Sequence, residues 1–193
     1  EVSKYNKIPF CAKRRLKCAL PYFQMIKTSQ RITKSFLDIH KYKSFDIVQS
    51  ASYLFPGLDL VKSSLVPFVV RASSYTPLLR AALGKNKTFR DHLLDWGELR
   101  QMQLADGVFA PSHLLSNILR QYEGLCPQVI RTPFIYQEIQ EDESLYKMYL
   151  AGKNYLLFWG KMNQVKGADI LIRALPDVLK KNRSLHAVFV GSD

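Results

Sequence analysis

Residues Tyr155 to Leu175 read YLLFWGKMNQVKGADILIRAL, and their pattern is the clearest sign of the chain's fold class. The first five of these residues are aromatic or aliphatic and predict a strand that ends at Gly160. From residue 166 to about residue 180 the apolar side chains recur at helical spacing, although Pro176 is expected to kink this helix or split it. A second strand is predicted at 186–190. A strand, a helix and a strand in this order form a βαβ unit, which requires parallel pairing.

The same alternation of strands and helices continues upstream of this unit. Short apolar runs predict four further strands, at 45–50, 67–71, 106–110 and 128–131. Segments with helical spacing predict one helix before the first of these strands, at 21–40, and two helices between later strands, at 87–104 and 112–122. The apolar run after Pro67 is typical of a parallel strand that helices cover on both faces. The sequence therefore predicts an α/β protein with a parallel sheet and flanking helices.

Each predicted helix carries residues that are expected to face a core. In the first helix these are Ile32, Phe36 and Ile39. In the second helix they are Leu93, Trp96, Leu99 and Met102, with Gly97 between them as a weak helix former. Ser112 is expected to cap the third helix by accepting a hydrogen bond from an exposed backbone N–H.

The charge of the chain is strongly positive and unevenly distributed. Twenty-eight Lys and Arg residues against sixteen Asp and Glu residues give a formal net charge of +12. The first fifty residues hold eleven of the basic and three of the acidic side chains. Such a surplus favours an anionic partner, a class that includes nucleic acid, anionic lipid and phosphorylated substrates.

Lys27, Arg31 and Lys34 are spaced to form one basic stripe along the first helix. A stripe of this kind is typical of a solvated helix face, and also of a helix that lies on an anionic membrane surface. Both interpretations stay open from the sequence. No nucleic-acid partner is expected, because the aromatic residues fall in predicted strands instead of alternating with Lys and Arg.

The sequence contains no pattern typical of a metal site or a disulfide framework. Its three cysteines lack paired spacing, which indicates free thiols in a reducing compartment. The four histidines share no metal-ligand spacing. An acidic run is interpreted as a solvated connector, and its members are Glu138, Glu141, Asp142 and Glu143. No apolar stretch approaches the ~20 residues that span a bilayer, and a cytoplasmic chain is expected.

The loop of the opening stretch has the composition of a phosphate-binding turn. In a parallel α/β sheet, ligands bind beyond the carboxyl ends of the strands, where the next helix presents its N-terminus. Gly160 and Gly167 let the backbone approach a ligand there, and Lys161 and Lys166 add two positive charges. A phosphate or diphosphate is the predicted ligand. The alternative is a lysine-rich surface turn, since the glycine pattern is neither a Walker loop nor a dinucleotide-binding turn.

The motifs occur in an order that resembles a known family. The C-terminal set comprises LFWGK at 157–161, KGADILIRAL at 166–175 and VFVG at 188–191. The upstream set comprises FDIV at 45–48, PFVV at 67–70, ADGVFAPS at 105–112 and IRTP at 130–133. Together they resemble the GT-B glycosyltransferases of the large retaining family that includes glycogen and sucrose synthases (glycosyltransferase family four). The resemblance covers about residues 45–193 of the chain.

This resemblance implies two Rossmann-like domains with a nucleotide sugar bound in the cleft between them. Residues 1–135 would form the acceptor-side domain without its first strands, 136–152 a linker, and 153–193 the start of the donor-binding domain. The implied reaction moves the sugar to an acceptor hydroxyl with retention of anomeric configuration, and it implies no metal and no cofactor. The implied partners are a nucleotide-sugar donor and a glycan or lipid-linked acceptor. The positive charge of the first fifty residues, and not the resemblance, favours an acceptor at the cytoplasmic membrane face, to which the protein would bind peripherally.

The residues that bind the donor diphosphate in this family can be matched to residues of this chain. In the family, an arginine and a lysine that follow the first donor-domain strand hold the diphosphate. Lys166 matches that lysine, and Lys161 stands at the arginine position, where it keeps the charge but loses the planar fork. The resemblance therefore makes Lys161 and Lys166 the candidate catalytic residues, and Gly160 and Gly167 complete the candidate diphosphate-binding set.

The chain departs from the family pattern elsewhere. A histidine common in the family after the strand at 67–70 is absent, and Arg71 stands there instead, closely followed by Ser73 and Ser74. These three are the acceptor-side candidates, and Arg71 either contacts an anionic substrate or caps the sheet edge. The glycine-rich loop of the first acceptor-domain strand is not visible. The family's Glu-x7-Glu donor motif would lie beyond residue 193, so the chain alone is expected to be inactive.

Two other functions remain as alternatives from the sequence. A nucleotide-sugar epimerase of similar two-domain architecture would use the same diphosphate loop but return the sugar as an isomer. A basic nucleic-acid-binding module would use the positive charge without any nucleotide-sugar chemistry, and its binding would fall strongly with salt.

Overall fold

The structure is a computed structural model that describes residues 10–136 and 142–192, with the backbone alone for 10–18. The chain divides into two compact units, residues 1–133 and 134–193, called here the N-terminal unit and the C-terminal unit. Each unit contains a parallel sheet with at least one helix. The predicted α/β class is therefore confirmed.

The N-terminal unit contains a four-stranded parallel sheet in the order β1-β2-β3-β4. Its strands are β1 Val48–Ala51, β2 Phe68–Arg71, β3 Gly107–Ala110 and β4 Gln128–Val129. Its helices are α1 Phe10–His40, α2 Thr76–Ala82, α3 Phe89–Leu104 and α4 His113–Glu123, with a 3-10 turn at Leu60–Ser63. This is a Rossmann-like α/β arrangement, and all four predicted strands are present with shifted ends.

One face of this sheet forms the core, and the other face is more open. Phe68, Val70 and Ala110 are buried, and they pack against Met102 of α3 and Leu119 of α4. The alternate residues of β2 are only half-buried. The prediction of a strand buried on both faces is therefore wrong for β2: within this unit its second face borders an open cavity of about 490 Å³.

Helix α1 packs through Phe36, as predicted, but the rest of its buried face differs from the prediction. Its buried positions include Ser29 and Thr33, and Phe36 is half-buried against the core. Ser29 Oγ accepts a 2.8 Å hydrogen bond from the Asp59 N–H, which satisfies both groups inside the unit. Ile32 and Ile39, predicted to face the core, are exposed. Ser29 and Thr33, whose hydroxyl groups are hydrogen-bonded, take their place at the interface.

Helix α3 is also rotated relative to the prediction. Met102 is buried as expected, but Trp96 is exposed. Gly97 is buried at a close contact, where an added Cβ would lie 2.5 Å from the ring of Phe55. The glycine that weakens the helix therefore creates the space that Phe55 fills. The predicted Ser112 cap is confirmed, because Ser112 Oγ accepts from the Leu115 N–H at 3.2 Å. Thr88 caps α3, which the sequence analysis had not predicted.

The C-terminal unit is the predicted βαβ unit. Strand β5 Asn154–Trp159 pairs in parallel with β6 Leu185–Val190, and α6 Ala168–Lys181 connects them after a 3-10 turn at Gln164–Lys166. Helix α6 is continuous through Pro176, so the proline does not split it. The segment predicted as a connector contains a short helix, α5 Ser144–Tyr149. Glu138 and Glu141 of the acidic run lie outside the described residues.

Candidate functional site

The loop between β5 and α6 brings Gly160, Lys161, Lys166 and Gly167 onto one connection. Gly160 has φ 141° and Gly167 has φ 75°, both in the region that favours glycine. An added Cβ at either glycine would meet no atom within 4 Å, so the need for glycine here is conformational. The predicted site residues are thus neighbours along a turn that leads from the carboxyl end of a parallel strand into a helix.

Backbone hydrogen bonds fix the start of this loop. The Gly160 N–H donates to the Val190 carbonyl at 2.9 Å, and the Met162 N–H donates to the Ser192 carbonyl at 3.1 Å. A Cβ at Gly191 would lie 1.8 Å from the Gly160 oxygen, so the two strand ends approach each other more closely than any other residue allows. The loop therefore leaves the sheet from a defined position.

Its second half is shaped by Asn163. The Asn163 Oδ1 accepts a 3.1 Å hydrogen bond from the Lys166 N–H and caps the 3-10 turn. Gly167 then takes the left-handed conformation and begins α6 with no side chain to cap it. The first turn of α6 is consequently not capped by a side chain, and the positive end of the helix dipole lies beside the loop.

Both lysines of the loop are exposed. Neither ammonium group forms an ion pair or a hydrogen bond with a side chain of the described residues. The nearest acidic residue along the chain, Asp169, is instead engaged by Arg173 at 2.6 Å. Two cations next to an uncapped helix start are chemically suited to hold a phosphate or diphosphate group.

The acceptor-side candidates lie in the N-terminal unit and do not form one cluster. Arg71, the last residue of β2, donates a 2.9 Å hydrogen bond from its guanidinium to Thr132 Oγ1, and both line the open cavity of about 490 Å³. Ser74 borders a different, small cavity near Tyr75 and Glu123. Ser73 is exposed. Arg71 therefore links the end of β2 to the segment that follows β4.

The sequence did not identify the most elaborate polar arrangement in the N-terminal unit, which holds the loop after β1. Gln101 is fully buried in α3; its Oε1 accepts from the Gly57 N–H at 2.6 Å, and its Nε2 donates to the Ala51 carbonyl at 2.8 Å. One turn earlier, Glu98 Oε1 accepts from the Leu54 N–H at 3.0 Å. The carboxamide of Gln101 and the carboxylate of Glu98 thus supply the hydrogen-bond partners that a neighbouring strand would otherwise provide.

This loop has a strained backbone. Leu54 and Phe55 both have positive φ, at 58° and 42°, a conformation that costs a residue with a side chain of order 1 kcal/mol or more. The Phe55 side chain is fully buried between Gly97 and the ring of Tyr22, whose centroid lies 5.7 Å away. Packing and the bonds from Glu98 and Gln101 hold the loop in place.

Beside this loop lies a cavity of about 590 Å³ that includes Tyr53, Thr76, Arg80 and Glu98 in its lining. Arg80 makes two hydrogen bonds to Asp95, at 3.0 and 2.9 Å. Burial raises the pKa of Glu98 above its ordinary value, and the hydrogen bonds from the Leu54 N–H and the Thr76 hydroxyl offset part of that rise. The cavity wall therefore contains a carboxylate that is costly to ionise.

Burial also acts on Asp91, which lies in the same wall. By itself burial would raise the pKa of Asp91, but hydrogen bonds from the Thr88 hydroxyl and N–H, together with Arg80 and Arg90, hold that pKa below its ordinary value. Asp91 and Thr88 form a reciprocal capping box at the start of α3. The two buried carboxylates of α3 thus differ because burial dominates at Glu98, whereas the hydrogen bonds from Thr88 and the nearby cations outweigh burial at Asp91.

Several negative findings apply to the part of the chain that the structure describes. Within residues 10–136 and 142–192, no three His, Cys, Asp or Glu side chains are grouped to hold a metal ion. None of the described helices combines the length and the apolar character needed to cross a bilayer. Cys126 is an exposed free thiol.

Comparison with known proteins gives one local similarity. No protein-family model matches the chain. A segment of 51 residues is 39% identical to spore coat protein SA of Bacillus subtilis (strain 168). The matched segment is 26% of this chain and 14% of that protein, so the similarity concerns a small part of the relative.

Proposed function

We propose that the chain is part of a glycosyltransferase that transfers a sugar from a nucleotide-sugar donor to an acceptor hydroxyl with retention of configuration. The ordered motifs, the two parallel α/β units and the local similarity to spore coat protein SA support this function. The observation that carries the proposal is the β5–α6 loop, in which exposed Lys161 and Lys166 stand beside a helix start that no side chain caps.

The proposed role of this loop is to hold the diphosphate of the donor. When the bond between the sugar and the diphosphate breaks, negative charge builds on the phosphate oxygens, and fixed cations lower the energy of that transition state. Lys161 and Lys166 supply two such cations, and the α6 N-terminus adds a partial positive charge. By analogy with the loss of one oxyanion-hole donor, removing one lysine would raise the activation free energy by about 3 kcal/mol.

The acceptor is proposed to bind on the N-terminal unit. A glycan or a lipid-linked acceptor provides the hydroxyl, and Arg71, Ser73 and Ser74 remain its candidate contacts. The hydrogen bond from Arg71 to Thr132 uses one guanidinium nitrogen, and Arg71 forms no ion pair with a described residue. Its charge is therefore not neutralised within the described part of the chain and favours an acceptor with an anionic group.

Calorimetric titration of the chain with a set of nucleotide sugars and with the corresponding nucleoside diphosphates tests the donor site. Wild-type chain is expected to bind at least one nucleoside diphosphate, and Lys166→Gln is expected to weaken that binding about tenfold or more, because a bond to a charged group is lost. Lys180→Gln is the matched control, since Lys180 is also exposed but lies in the last turn of α6. Equal weakening by both variants, or no binding at all, would contradict the proposal.

The type of reaction requires a second assay, in which a protein that contains this chain together with the Glu-x7-Glu segment is supplied with donor labelled in the sugar. Appearance of the label in an acceptor supports transfer, whereas recovery of an isomeric nucleotide sugar without any acceptor would identify an epimerase. The anomeric configuration of the product then tests retention.

A further inference from the structure

We propose that the outer face of α1 is a docking surface for an anionic lipid bilayer. The outer face is defined by five residues that follow one another at intervals of three or four: Leu20, Phe23, Lys27, Arg31 and Lys34. Residues with this spacing lie on one side of a helix. At a rise of about 1.5 Å per residue they form a strip roughly 20 Å long. This inference does not depend on the proposed sugar transfer.

The packing of α1 determines which side points outward. Tyr22, Ile26, Ser29, Thr33 and Phe36 are buried or half-buried and repeat at the same intervals as the outer residues. Ser29 Oγ accepts a hydrogen bond from the Asp59 N–H, and Phe36 packs on the core cluster, so this side of the helix faces the interior of the N-terminal unit. The outer face lies on the opposite side of the helix.

The outer face carries three cations without acidic partners. Lys27, Arg31 and Lys34 are all exposed, and none forms an ion pair with a described residue. The first acidic residue beyond them, Asp38, pairs with Lys41 at 3.2 Å. The positive strip is therefore not neutralised by its own unit, and it complements a surface with many negative charges.

The same face carries apolar side chains at one end of the strip. Leu20 is 55% exposed and Phe23 is 51% exposed, and beyond the other end of the helix Tyr42 is 92% exposed. Large apolar side chains next to cations are typical of helices that lie in a membrane interface, where the rings and aliphatic chains enter the lipid and the ammonium groups stay at the headgroups. The sequence pattern alone had not indicated these anchors.

These observations favour lipid over the other polyanions. A nucleic acid would be bound by aromatic side chains that alternate with the cations and stack on bases. Here Leu20 and Phe23 precede the cations along the helix instead of alternating with them. A bilayer can accept apolar side chains and neutralise a row of cations in one contact. It needs no shaped pocket, and the convex outer face of α1 offers none.

Sedimentation of the full chain with lipid vesicles tests this proposal. The chain is expected to bind vesicles of phosphatidylcholine mixed with phosphatidylserine much more strongly than vesicles of phosphatidylcholine alone. Each cation near an anionic surface contributes about fivefold in affinity. Replacing all three in Lys27→Gln/Arg31→Gln/Lys34→Gln should therefore weaken binding roughly a hundredfold. Glutamine has a helix propensity close to that of lysine and arginine, so α1 should still fold.

A matched control removes the same charge elsewhere. Lys153→Gln/Lys180→Gln/Lys181→Gln changes three exposed lysines of the C-terminal unit and should leave vesicle binding within about twofold of wild type, because these charges lie outside the docking surface. Phe23→Gln should reduce the part of the binding that persists at high salt. Circular dichroism confirms that each variant is folded.

Three results would overturn the proposal. The first is equal affinity of the chain for neutral and anionic vesicles. The second is that the α1 variant and its control weaken vesicle binding equally. The third is binding to a nucleic-acid duplex that depends on the α1 cations, without any binding to vesicles. The last result would assign the same surface to a nucleic acid.

Discussion

In the N-terminal unit the loop after β1 is held by side chains of α3, whereas in the C-terminal unit the loop after β5 is held mainly by its own backbone. Gln101 and Glu98 together make three hydrogen bonds to the first loop, and Phe55 is buried beneath it. In the second loop one side chain forms a hydrogen bond, Asn163 Oδ1 accepting from the Lys166 N–H, and two lysines are exposed. Both loops follow a parallel strand at its carboxyl end. Side chains are hydrogen-bonded to the backbone of the first loop, whereas the lysines of the second loop are left exposed.

The difference separates stability from binding. Polar groups that are bonded inside a loop stabilise the fold and are no longer available to a ligand. Charged groups that contact nothing contribute little to folding but keep their full capacity to bind an anion. Substitutions in the first loop should therefore change the free energy of unfolding, and substitutions of the lysines in the second loop should change ligand affinity alone.

The largest effect on unfolding is expected from Phe55→Ala. The fully buried ring fills the space above Gly97, and removing it leaves a cavity and frees a strained backbone segment. Truncating a buried Phe typically lowers the free energy of unfolding by about 4 kcal/mol. Urea denaturation measures this change. Phe89→Ala is the control, because Phe89 is half exposed at the start of α3, and a loss as large as that of Phe55→Ala there would contradict the account.

A somewhat smaller loss is expected from Gln101→Ala. The substitution removes the side-chain partner of the Gly57 N–H and one of two side-chain donors to the Ala51 carbonyl, which also accepts from the Ser50 hydroxyl at 3.2 Å. Leaving the Gly57 N–H without this partner in a buried site costs about 2 kcal/mol. Gln103 lies on the same helix but is exposed, so Gln103→Ala should change the free energy of unfolding by less than about 0.5 kcal/mol. If both variants have the same free energy of unfolding, the hydrogen bonds of the Gln101 side chain do not stabilise the first loop.

Glu98→Gln is expected to have a smaller effect with a distinct pH dependence. Because the pKa of Glu98 is raised in the folded state, its contribution to stability is present at pH values below the unfolded pKa and is lost as pH rises through the folded pKa. The amide keeps an acceptor for the Leu54 N–H and does not ionise. At neutral pH the variant should therefore match or exceed wild type by about 1 kcal/mol.

Thermal unfolding of both proteins across the acidic to neutral range checks this sign. Wild type should lose its advantage as pH rises, while the Glu98→Gln curve should stay flatter. The opposite result would be a Glu98→Gln variant that is less stable than wild type, with a larger deficit at neutral pH than at acidic pH. That result would show that ionised Glu98 stabilises the loop.

Which of these features the sequence could predict depends on where their partners lie. The strands were predictable because apolar runs such as that of β2 end at Arg71 and at glycines, and the loop residues Lys161 and Lys166 are neighbours in the chain. Buried polar positions were not predictable. Ser29 and Gln101 look like surface residues until the distant backbone groups that they bond to, at Asp59 and Gly57, are brought beside them.

The same reason explains why Ile32 and Trp96 were placed in the core. Their spacing fits a buried helical face, but the polar bonds and the Phe55–Gly97 contact select another rotation of each helix. Local periodicity locates a helix reliably, whereas the side that it buries is decided by packing partners far away in sequence.

Binding of a nucleotide-sugar diphosphate by the β5–α6 loop can be located residue by residue by following the backbone amide resonances of isotope-labelled chain as a nucleoside diphosphate is added. We expect the largest shifts between Gly160 and Asp169 and none around Gly57, with Lys166→Gln reducing the shifts while its free energy of unfolding stays within about 0.5 kcal/mol of wild type. Shifts centred on the loop after β1, or no shifts at a saturating concentration, would contradict binding by the β5–α6 loop.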